Sequence, residues 1–477
     1  MSLILDLARA VGAEQVITDP AALRTYESDA LTGYRAIPRA VVLPATTAEV
    51  SAVVTVCAAN GIPFVARGAG TGLSGGAVPI AEGIVIGLSR MNSILEVDVP
   101  NRRVRLQPGV TNLDVTRAVA EHGLYYAPDP SSQQVCTIGG NVAENSGGAH
   151  CLKYGFTSNH VVEAELVLAG GEVVRLGEGD ALDLLGAVVG SQGTLGIVTE
   201  VVFGVLPRPQ RVETLLAAFA STDHAGEAVS AIIAGGIIPA AIEMMDELTI
   251  RAAEAAVGAG LPLDAGAVLL VELDGPAVEV EMMMQRVIDM CREAGASEVR
   301  RAGSDSERAG FWRGRKAAFA AMGRISPDYY VQDGVVPRTR LPDTLRRISE
   351  LSAGYGLRVG NVFHAGDGNL HPLVLYDGAV EGEAARAEEL ASEILTACVD
   401  AGGSLTGEHG IGLDKARHMP RMFSDVDLDA MNRLRCGFDP EGRCNPGKVF
   451  PTPRLCGEVP GPYRQHPLER EGVAERW

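Results

Sequence analysis

Five glycines within eleven residues, at 67–77, restrict the fold of this chain more than any other segment. The segment reads RGAGTGLSGGA. Because glycine carries no side chain, backbone N–H groups in such a loop can converge on a ligand, and a pyrophosphate suits them. An ordinary turn is the alternative, but a turn needs only one or two glycines. The segment therefore predicts a phosphate-binding loop.

The residues around this loop distinguish two kinds of phosphate site. Gly70, Gly72 and Gly75 match the G-x-G-x-x-G fingerprint of NAD-binding Rossmann domains. In that fold a helix begins on the loop and directs its N-terminus at the phosphates. Here Pro79 and Gly83 follow, and no helix of useful length fits before the next apolar segment. We therefore expect a strand, loop and strand over 63–88 rather than a Rossmann unit.

The composition excludes several classes of function. A chain of 477 residues suffices for two or three domains, and its 46% hydrophobic and 21% charged content is typical of soluble globular proteins. Its 41 basic and 60 acidic residues give a net charge of −19. This argues against nucleic-acid and anionic-membrane binding, since both need a basic face. Eight cysteines without a C-x-x-C pair argue against a disulfide framework, an iron–sulfur cluster and a Cys-based zinc site.

The first residues and the hydropathy favour a cytoplasmic protein, peripheral to a membrane only through partner subunits. Residues 1–6 lack the basic region of a secretory signal, because Asp6 follows the start at once. No apolar run reaches the roughly 18 residues that span a bilayer. We therefore expect no membrane span.

The order of predicted elements divides the chain. Two further glycine tracts, at 128–148 and 190–196, suggest an extended ligand threaded across a first domain, 1–207. The sequence Pro207-Arg208-Pro209 is typical of a boundary. Alternating strand and helix patterns predict an antiparallel α+β layer domain over 208–405. Residues 456–477 are predicted to be a surface tail.

Local patterns predict individual elements. Thr46 and Glu49 are spaced for a capping box and predict a helix start. Thr111 and Asp114 predict another, and a hairpin is expected over 94–107. Further helices are predicted at 225–233, 278–294 and 383–401, and further strands at 164–168, 173–176, 214–219, 267–273 and 298–301.

A second group of residues has a different chemistry. Two predicted strands, 361–364 and 370–375, are joined by a glycine-containing turn that would bring His364 and His371 together. Glu408 lies on another glycine-bounded loop, TGEHGIG. Two histidines and a carboxylate are a usual ligand set for Zn²⁺, Mn²⁺ or Fe²⁺ with positions left open for substrate. A hydrogen-bonded structural histidine is the alternative for each.

Two further candidates are a histidine next to Glu408, for acid–base chemistry, and a basic segment earlier in the chain, for anion binding. His409 is a candidate general base, because histidine titrates near neutral pH. A structural turn histidine is the alternative. The segment FWRGRK at 311–316 places three cations beside Trp312 and could clamp a carboxylate. A solvated helix face is the alternative there.

Seven motifs in order along almost the whole chain identify a family resemblance. They are RGAGTGLSGGA, PDPSSQQVCTIGGNVAENSGGAHCLKYG, GSQGTLGIVTEV, FWRGRKAAF, NVFHAGDGNLHP, GEHGIG and NPGK. The chain resembles the FAD-linked 2-hydroxy-acid dehydrogenases of the vanillyl-alcohol-oxidase-type (PCMH-type) superfamily, among them the flavoprotein subunits of glycolate oxidase. The resemblance implies an α+β fold with an FAD-binding domain, an antiparallel α+β cap, and a segment, 406–455, that returns to complete the FAD and active site.

The resemblance also implies roles for individual residues. A divalent metal, zinc or manganese, would bind His364, His371 and Glu408. His409 would be the base, Arg315 would hold the substrate carboxylate and Asn369 would contact the substrate. The FAD contacts would be Arg67, Gly68, Ala69, Gly70, Thr71, Gly72, Leu73, Ser74, Gly75, Pro128, Ser131, Thr137, Gly139, Asn145, Gly193, Ile197 and Asn445.

The implied reaction is oxidation of glycolate or D-lactate to the 2-oxo acid by hydride transfer to FAD. Electrons would pass to a partner subunit with iron–sulfur centres or to another non-NAD acceptor. Residues 67–77 contain no His or Cys that could tether the flavin, so we expect dissociable FAD. Dicarboxylate-specific relatives carry a lysine where this chain has Val331-Gln332-Asp333, which favours a small substrate over D-2-hydroxyglutarate. A non-redox FAD enzyme on the same scaffold and a subunit inactive without its partner stay open.

Overall fold

The computed structural model describes residues 2–177 and 179–451; the tail predicted at 456–477 and the end of the segment 406–455 lie outside them. The strands up to residue 207 are β1 Val16–Ile17, β2 Ala40–Val42, β3 Phe64–Arg67, β4 Ile84–Gly87, β5 Ile94–Asp98, β6 Arg103–Leu106, β7 Leu124–Tyr125, β8 Val161–Val167, β9 Val173–Gly177, β10 Ile197–Gly204 and β11 Leu206–Pro207. The helices are α1 Ser2–Val11, α2 Pro20–Leu23, α3 Thr47–Ala59, α4 Asn112–Val119, α5 Ile138–Glu144, α6 Cys151–Tyr154 and α7 Leu184–Val188.

The glycine loop joins two neighbouring strands of a small sheet with the order β1-β2-β4-β3. β3 and β4 are parallel, and no helix lies between them, so the predicted strand, loop and strand are confirmed. Helix α3 packs on this sheet through Val50, Val53 and Val54, which are fully buried. Its predicted start is also confirmed, because the Thr46 hydroxyl accepts a hydrogen bond from the Glu49 N–H.

A second, antiparallel sheet has the order β5-β6-β10-β8-β9 and includes the predicted hairpin, β5 and β6. Helix α5 packs against it through Ile138 and Val142. The sequence patterns did not predict this helix, because Gly139 and Gly140 disfavour helix in isolation. Burial of the two apolar side chains outweighs that preference.

The remaining strands are β12 Arg211–Phe219, β13 Ala241–Asp246, β14 Ala267–Gly275, β15 Glu298–Arg301, β16 Asp328–Val331, β17 Gly334–Val335, β18 Val359–His364, β19 Asn369–Leu370 and β20 Pro372–Tyr376. The remaining helices are α8 Thr222–Ala234, α9 Glu247–Val257, α10 Ala277–Glu293, α11 Asp305–Ala321, α12 Leu341–Tyr355, α13 Glu383–Asp400, α14 Met419–Met422 and α15 Asp425–Phe438.

These later strands form one antiparallel sheet with helices on both faces. Its order is β15-β12-β14-β13-β18-β19-β17, and β18 also pairs with β20, which pairs with β16. Alternate residues of β12 point to opposite faces: Leu215 and Ala217 pack with α8, α10, α12 and α13, whereas Leu216 packs with α9 and α11. The predicted antiparallel α+β layer is therefore confirmed, with β13 and α9 as additional elements.

The C-terminal segment returns to the first glycine loop. The Phe64 N–H donates to the Arg443 carbonyl at 2.9 Å, and the Asn445 N–H donates to the Phe64 carbonyl at 2.8 Å. The Asn445 side-chain amide also donates to the carbonyls of Gly76 and Gln192 at 2.8 and 2.7 Å. The first and third glycine tracts are therefore held together by the end of the chain. Among residues 2–177 and 179–451, no helix is both long enough and apolar enough to cross a membrane.

Candidate active site

A cavity of about 640 Å³ lies between the glycine tracts and the large sheet. This volume is within the range of small-molecule and cofactor sites. One wall consists of the tracts, with residues 66–73 and many residues of 130–147 and 191–198. The facing wall includes Phe319, Tyr329, Tyr330, Val331, Tyr376, His371, Glu408 and His409. The cavity therefore connects the glycine loop with the histidine cluster.

The glycine loop is shaped for close approach of a ligand to the backbone. A Cβ at Gly68 would clash with Thr137 Oγ1, and Gly70 has a positive φ of 70°. The guanidinium of Arg67 donates to the Ala77 carbonyl at 3.2 Å and closes the loop. Thr137 Oγ1 is buried and has no hydrogen-bond partner among the described residues. The loop and this hydroxyl therefore present backbone and side-chain polar groups to a ligand.

The predicted cofactor residues fall into two groups. Those that line the cavity are Arg67, Gly68, Ala69, Gly70, Thr71, Gly72, Leu73, Ser131, Thr137, Gly139, Gly193 and Ile197. The others, Ser74, Gly75, Pro128, Asn145 and Asn445, lie behind the lining and support it. The Ser74 carbonyl accepts from the Leu413 N–H, the Pro128 carbonyl from the Asn112 amide, and Asn145 Oδ1 from the Ser158 N–H. For this second group, direct contact with the cofactor stays a prediction.

Three predicted metal ligands come together at the other end of the cavity, which His371 and Glu408 line and His364 does not. His364 lies opposite Asn369 across the turn between β18 and β19. Glu408 Oε1 lies 3.1 Å from His364 Nε2 and 3.3 Å from His371 Nε2. His371 Nε2 also lies 3.5 Å from Asp333 Oδ1, and its Nδ1 atom has no hydrogen-bond partner in the described part of the chain. Two imidazole nitrogens and a carboxylate that converge in this way fit a divalent cation.

Arg315 lies behind this cluster and does not line the cavity. Its Nη2 atom is 2.6 Å from Glu243 Oε2, and Glu243 Oε1 is 2.7 Å from His364 Nδ1. Burial would raise the pKa of Glu243, but His364 and Arg315 outweigh burial and lower it. The guanidinium predicted to hold a substrate carboxylate is therefore paired with a protein carboxylate. Sequence reasoning missed Glu243, although a single acid in the apolar run 240–245 was a usable signal.

Asp333 holds the loop that carries Glu408 and His409. Its buried carboxylate accepts hydrogen bonds from the N–H groups of Gly407, Glu408 and His409 at 3.0, 3.2 and 2.8 Å. It also accepts from the Thr406 hydroxyl and from Lys415 Nζ. Sequence reasoning used Asp333 only as a marker of substrate size. It missed the hydrogen bonds of Asp333 to the 406–409 loop, because the two segments lie more than 70 residues apart.

His409 presents its ring to the cavity. The ring stacks on that of His371 with a centroid distance of 4.8 Å, and its Nδ1 atom has no hydrogen-bond partner among the described residues. Burial lowers the pKa of His409 to about 4, so the imidazole is neutral near neutral pH. Asn369, by contrast, is buried beneath Gly407, where a Cβ would press on its side-chain amide.

Two cavity residues escaped the sequence predictions although they lie in the glycine tracts. Glu144 Oε2 accepts a hydrogen bond from Gln192 Nε2 at 2.8 Å, and Gln192 Oε1 accepts one from the Gly412 N–H at 2.8 Å. Burial raises the pKa of Glu144 to about 8. A protonated carboxylic acid therefore lies between the phosphate loop and the histidine loop at neutral pH.

Two family models match this chain. Residues 38–177 match the FAD binding domain, and residues 208–449 match the C-terminal domain of FAD linked oxidases. The glycolate oxidase subunit GlcD of Escherichia coli (strain K12) is 49% identical over 98% of this chain and 94% of its own length. The D-lactate dehydrogenase of Anaerostipes hadrus is 33% identical over 89% of this chain and 92% of its own length.

Among solved structures, p-cresol methylhydroxylase with bound substrate has the same fold. Its TM-score is 0.79 at 17% identity, with 94% of this chain and 96% of that chain covered. The unpaired Thr137 hydroxyl and the side-chain-free surface at Gly68 fit the cofactor that the family models name. The family and the cofactor expected from the motifs are thus confirmed: the chain belongs to the FAD-linked oxidases and binds FAD.

Proposed function

We propose that this oxidoreductase converts a small 2-hydroxy acid, glycolate or D-lactate, into the corresponding 2-oxo acid. The names of its relatives support that class of substrate. The observation that carries the proposal is the single cavity that joins the glycine loop to the stacked pair His371 and His409. This arrangement supports a role for the neutral His409 imidazole as proton acceptor at one end of the flavin site.

Two hydrogens leave the substrate in this oxidation. The neutral imidazole of His409 takes the hydroxyl proton, as the C–H bond breaks and the C=O bond forms. FAD, when bound, supplies the N5 atom that accepts the hydride from the substrate Cα. Phe319 and Val331 give the facing wall an apolar surface, and the Phe319 ring contacts that of His371 edge-on.

We further propose that His364, His371 and Glu408 hold a zinc or manganese ion. The ion would supply Lewis acidity toward the substrate hydroxyl and carboxylate. The Glu408 oxygen, which lies between the Nε2 atoms of His364 and His371, supports this assignment. Arg315 and Asn369 would act from behind the lining, Arg315 through its ion pair with Glu243 and Asn369 by packing under the 406–409 loop.

The electrons would leave to a partner subunit with iron–sulfur centres or another non-NAD acceptor, in the cytoplasm. Two observations support this: one relative is named as a subunit, and the sequence has no C-x-x-C pair for a cluster of its own. We also propose that residues 1–207 and 406–455 form one FAD-binding unit, and 208–405 a cap. The hydrogen bonds of Asn445 to both glycine tracts support the first unit.

Anaerobic bleaching of the purified yellow protein tests the reaction. Glycolate and D-lactate, added separately, should bleach the visible flavin band, whereas L-lactate and D-2-hydroxyglutarate should not. Dithionite serves as the positive control for reducible flavin. A protein that dithionite bleaches but that every 2-hydroxy acid leaves yellow, alone or with co-expressed partner subunits, would contradict the proposal and favour non-redox chemistry on the same scaffold.

A further inference from the structure

A buried carboxylate lies directly behind one of the proposed metal ligands. Glu243 in β13 is 1% exposed and is the antiparallel register partner of His364 in β18. Its Oε1 atom is 2.7 Å from His364 Nδ1. Its Oε2 atom is 2.6 Å from the guanidinium of Arg315, which is also buried. Both oxygens of Glu243 are therefore fixed, one on a histidine and one on an arginine.

This contact determines which ring nitrogen of His364 carries the proton. A neutral imidazole has one N–H and one lone pair, and an ionised carboxylate can only accept a hydrogen bond. A metal ion on Nε2 would take up the lone pair there, so the one proton of the ring would lie on Nδ1, where Glu243 accepts it. The ion pair with Arg315 prevents the carboxylate from turning away.

The other histidine of the cluster has no such partner at Nδ1. His371 Nδ1 has no hydrogen-bond partner within residues 2–177 and 179–451, whereas its Nε2 lies 3.3 Å from Glu408 Oε1 and 3.5 Å from Asp333 Oδ1. Its ring is held by stacking on His409 and by an edge contact with Phe319. Glu243 therefore acts on one histidine only, and its effect should be separable from the general order of the cluster.

We propose that Glu243 is a positioning residue for the divalent metal, which keeps His364 in the tautomer and orientation whose Nε2 can bind the ion. The inference rests on the proposed metal site at His364, His371 and Glu408. A purely structural role is the competing explanation, since Glu243 and Arg315 form a buried ion pair. Such a pair can often be replaced by apolar residues without loss of stability, so the two roles can be distinguished by experiment.

The experiment compares metal affinity of the yellow, metal-free protein and its variants. Zn²⁺ is titrated in competition with a chromogenic chelator, and Co²⁺ is added separately to record its visible absorption. The substitution Glu243→Gln should weaken Zn²⁺ binding about 10-fold, and the double variant Glu243→Met with Arg315→Met should approach about 100-fold. Both should alter the Co²⁺ spectrum. The double variant leaves no unpaired buried charge if the single variant folds poorly.

Glu272→Gln is the matched control. Glu272 is a buried glutamate on the neighbouring strand β14, and it is bonded to another histidine, His150, at 3.2 Å. The Glu272→Gln variant should bind Zn²⁺ with the affinity of the unsubstituted protein. Glu243→Asp should recover part of the affinity, because it keeps the carboxylate. Melting temperature and flavin absorbance of each variant report whether the fold and the FAD are retained.

The outcomes separate this inference from the proposed function. Unsubstituted protein that binds Zn²⁺, with folded Glu243 variants of equal affinity, would overturn the role of Glu243 and leave the metal site in place. An equal loss in Glu272→Gln would also overturn it, because the loss would then follow from any broken buried pair. Unsubstituted protein that binds neither metal would remove the metal site itself.

Discussion

The side chain of His409 lines the cavity together with Glu408 and His371, whereas its backbone is bonded to a residue outside the lining. Its N–H is bonded to Asp333, and the same carboxylate holds the N–H groups of Gly407 and Glu408. The position of the ring is therefore set by a residue that never reaches the cavity. Substitution of the ring alone should remove chemistry and leave the loop in place.

We expect His409→Ala to slow flavin reduction by about 10²–10⁴-fold, the usual contribution of a general base. Bound FAD should be retained, because the glycine loop is untouched. Anaerobic stopped-flow with glycolate or D-lactate measures the rate, and His122→Ala, on the half-exposed short turn after α4, is the control. Reduction at the unsubstituted rate would remove His409 from the mechanism.

The buried carboxyl group of Glu144 makes the free energy of unfolding depend on pH. Burial raises its pKa from 4.5 to about 8, so the folded state favours the protonated acid. The unfolded chain loses that proton as the pH rises above about 4.5, and this group therefore costs stability progressively between pH 4.5 and 8. Glu144→Gln is neutral at every pH, so its stability advantage over the unsubstituted protein should grow from pH 5 to pH 8.

Thermal unfolding at pH 5, 7 and 9 measures this difference. Glu121→Gln, at an exposed position, should show no such trend. An advantage of Glu144→Gln that is the same at all three pH values would show that Glu144 is ionised in the folded protein.

At the scale of elements, the loop between β3 and β4 tolerates no side chain at Gly68. A Cβ there would clash with Thr137 Oγ1, which adjoins the loop on the same wall of the cavity. We expect Gly68→Ala to displace the loop and to make the free energy of FAD binding less favourable by about 1–3 kcal/mol. This corresponds to an affinity about 5- to 150-fold weaker. Equilibrium titration of the stripped protein with FAD, followed by flavin fluorescence, measures the affinity.

Gly354→Ala is the control for this prediction. Gly354 lies in α12 with nothing within 4 Å of its ideal Cβ position, so alanine should leave the FAD affinity unchanged. It should also stabilise the helix slightly, because alanine favours helix over glycine. Equal FAD affinities for Gly68→Ala and the unsubstituted protein would contradict the steric argument.

Elements with strong local signals were predictable from the sequence, and those fixed by distant partners were not. The Thr46 cap, the hairpin of β5 and β6 and the absence of a helix after Gly76 depend on residues close in sequence. The strand β13 was missed because Glu243 interrupts its apolar pattern. That glutamate is tolerated only because His364 and Arg315 satisfy it, 121 and 72 residues away.

The candidate site was predictable to a similar degree. The turn between β18 and β19 brings His364 and His371 together, as the spacing of the two strands predicted. The roles of Arg315 and Asn369 depend on which way their side chains turn, and periodicity does not reveal that. Both turn into the protein, and their contact with substrate stays a prediction.

At the scale of the whole molecule, the proposed metal ligands come from two segments that the large sheet and Asp333 hold side by side. Removal of the ion should therefore leave the fold and the yellow colour intact. We expect chelator-treated, dialysed protein to lose about 100-fold or more in kcat/KM, because Lewis acid catalysis is worth several kcal/mol. Steady-state assays with an artificial electron acceptor measure this loss.

Addition of Zn²⁺ or Mn²⁺ to the stripped protein should restore activity, whereas Mg²⁺ should restore little, because it prefers oxygen ligands. Elemental analysis before and after treatment is the control. Full activity in protein shown to contain no divalent metal would eliminate the site at His364, His371 and Glu408.

The hydrogen bonds of Asn445 also bear on when this protein acquires its cofactor. Asn445 joins Gly76 and Gln192 across 369 and 253 residues of sequence. During synthesis on the ribosome, the earlier segments emerge and fold long before the residue that clasps them. We therefore expect cofactor capture to be a late event, and a nascent chain that stalls before this asparagine to have an incomplete flavin pocket.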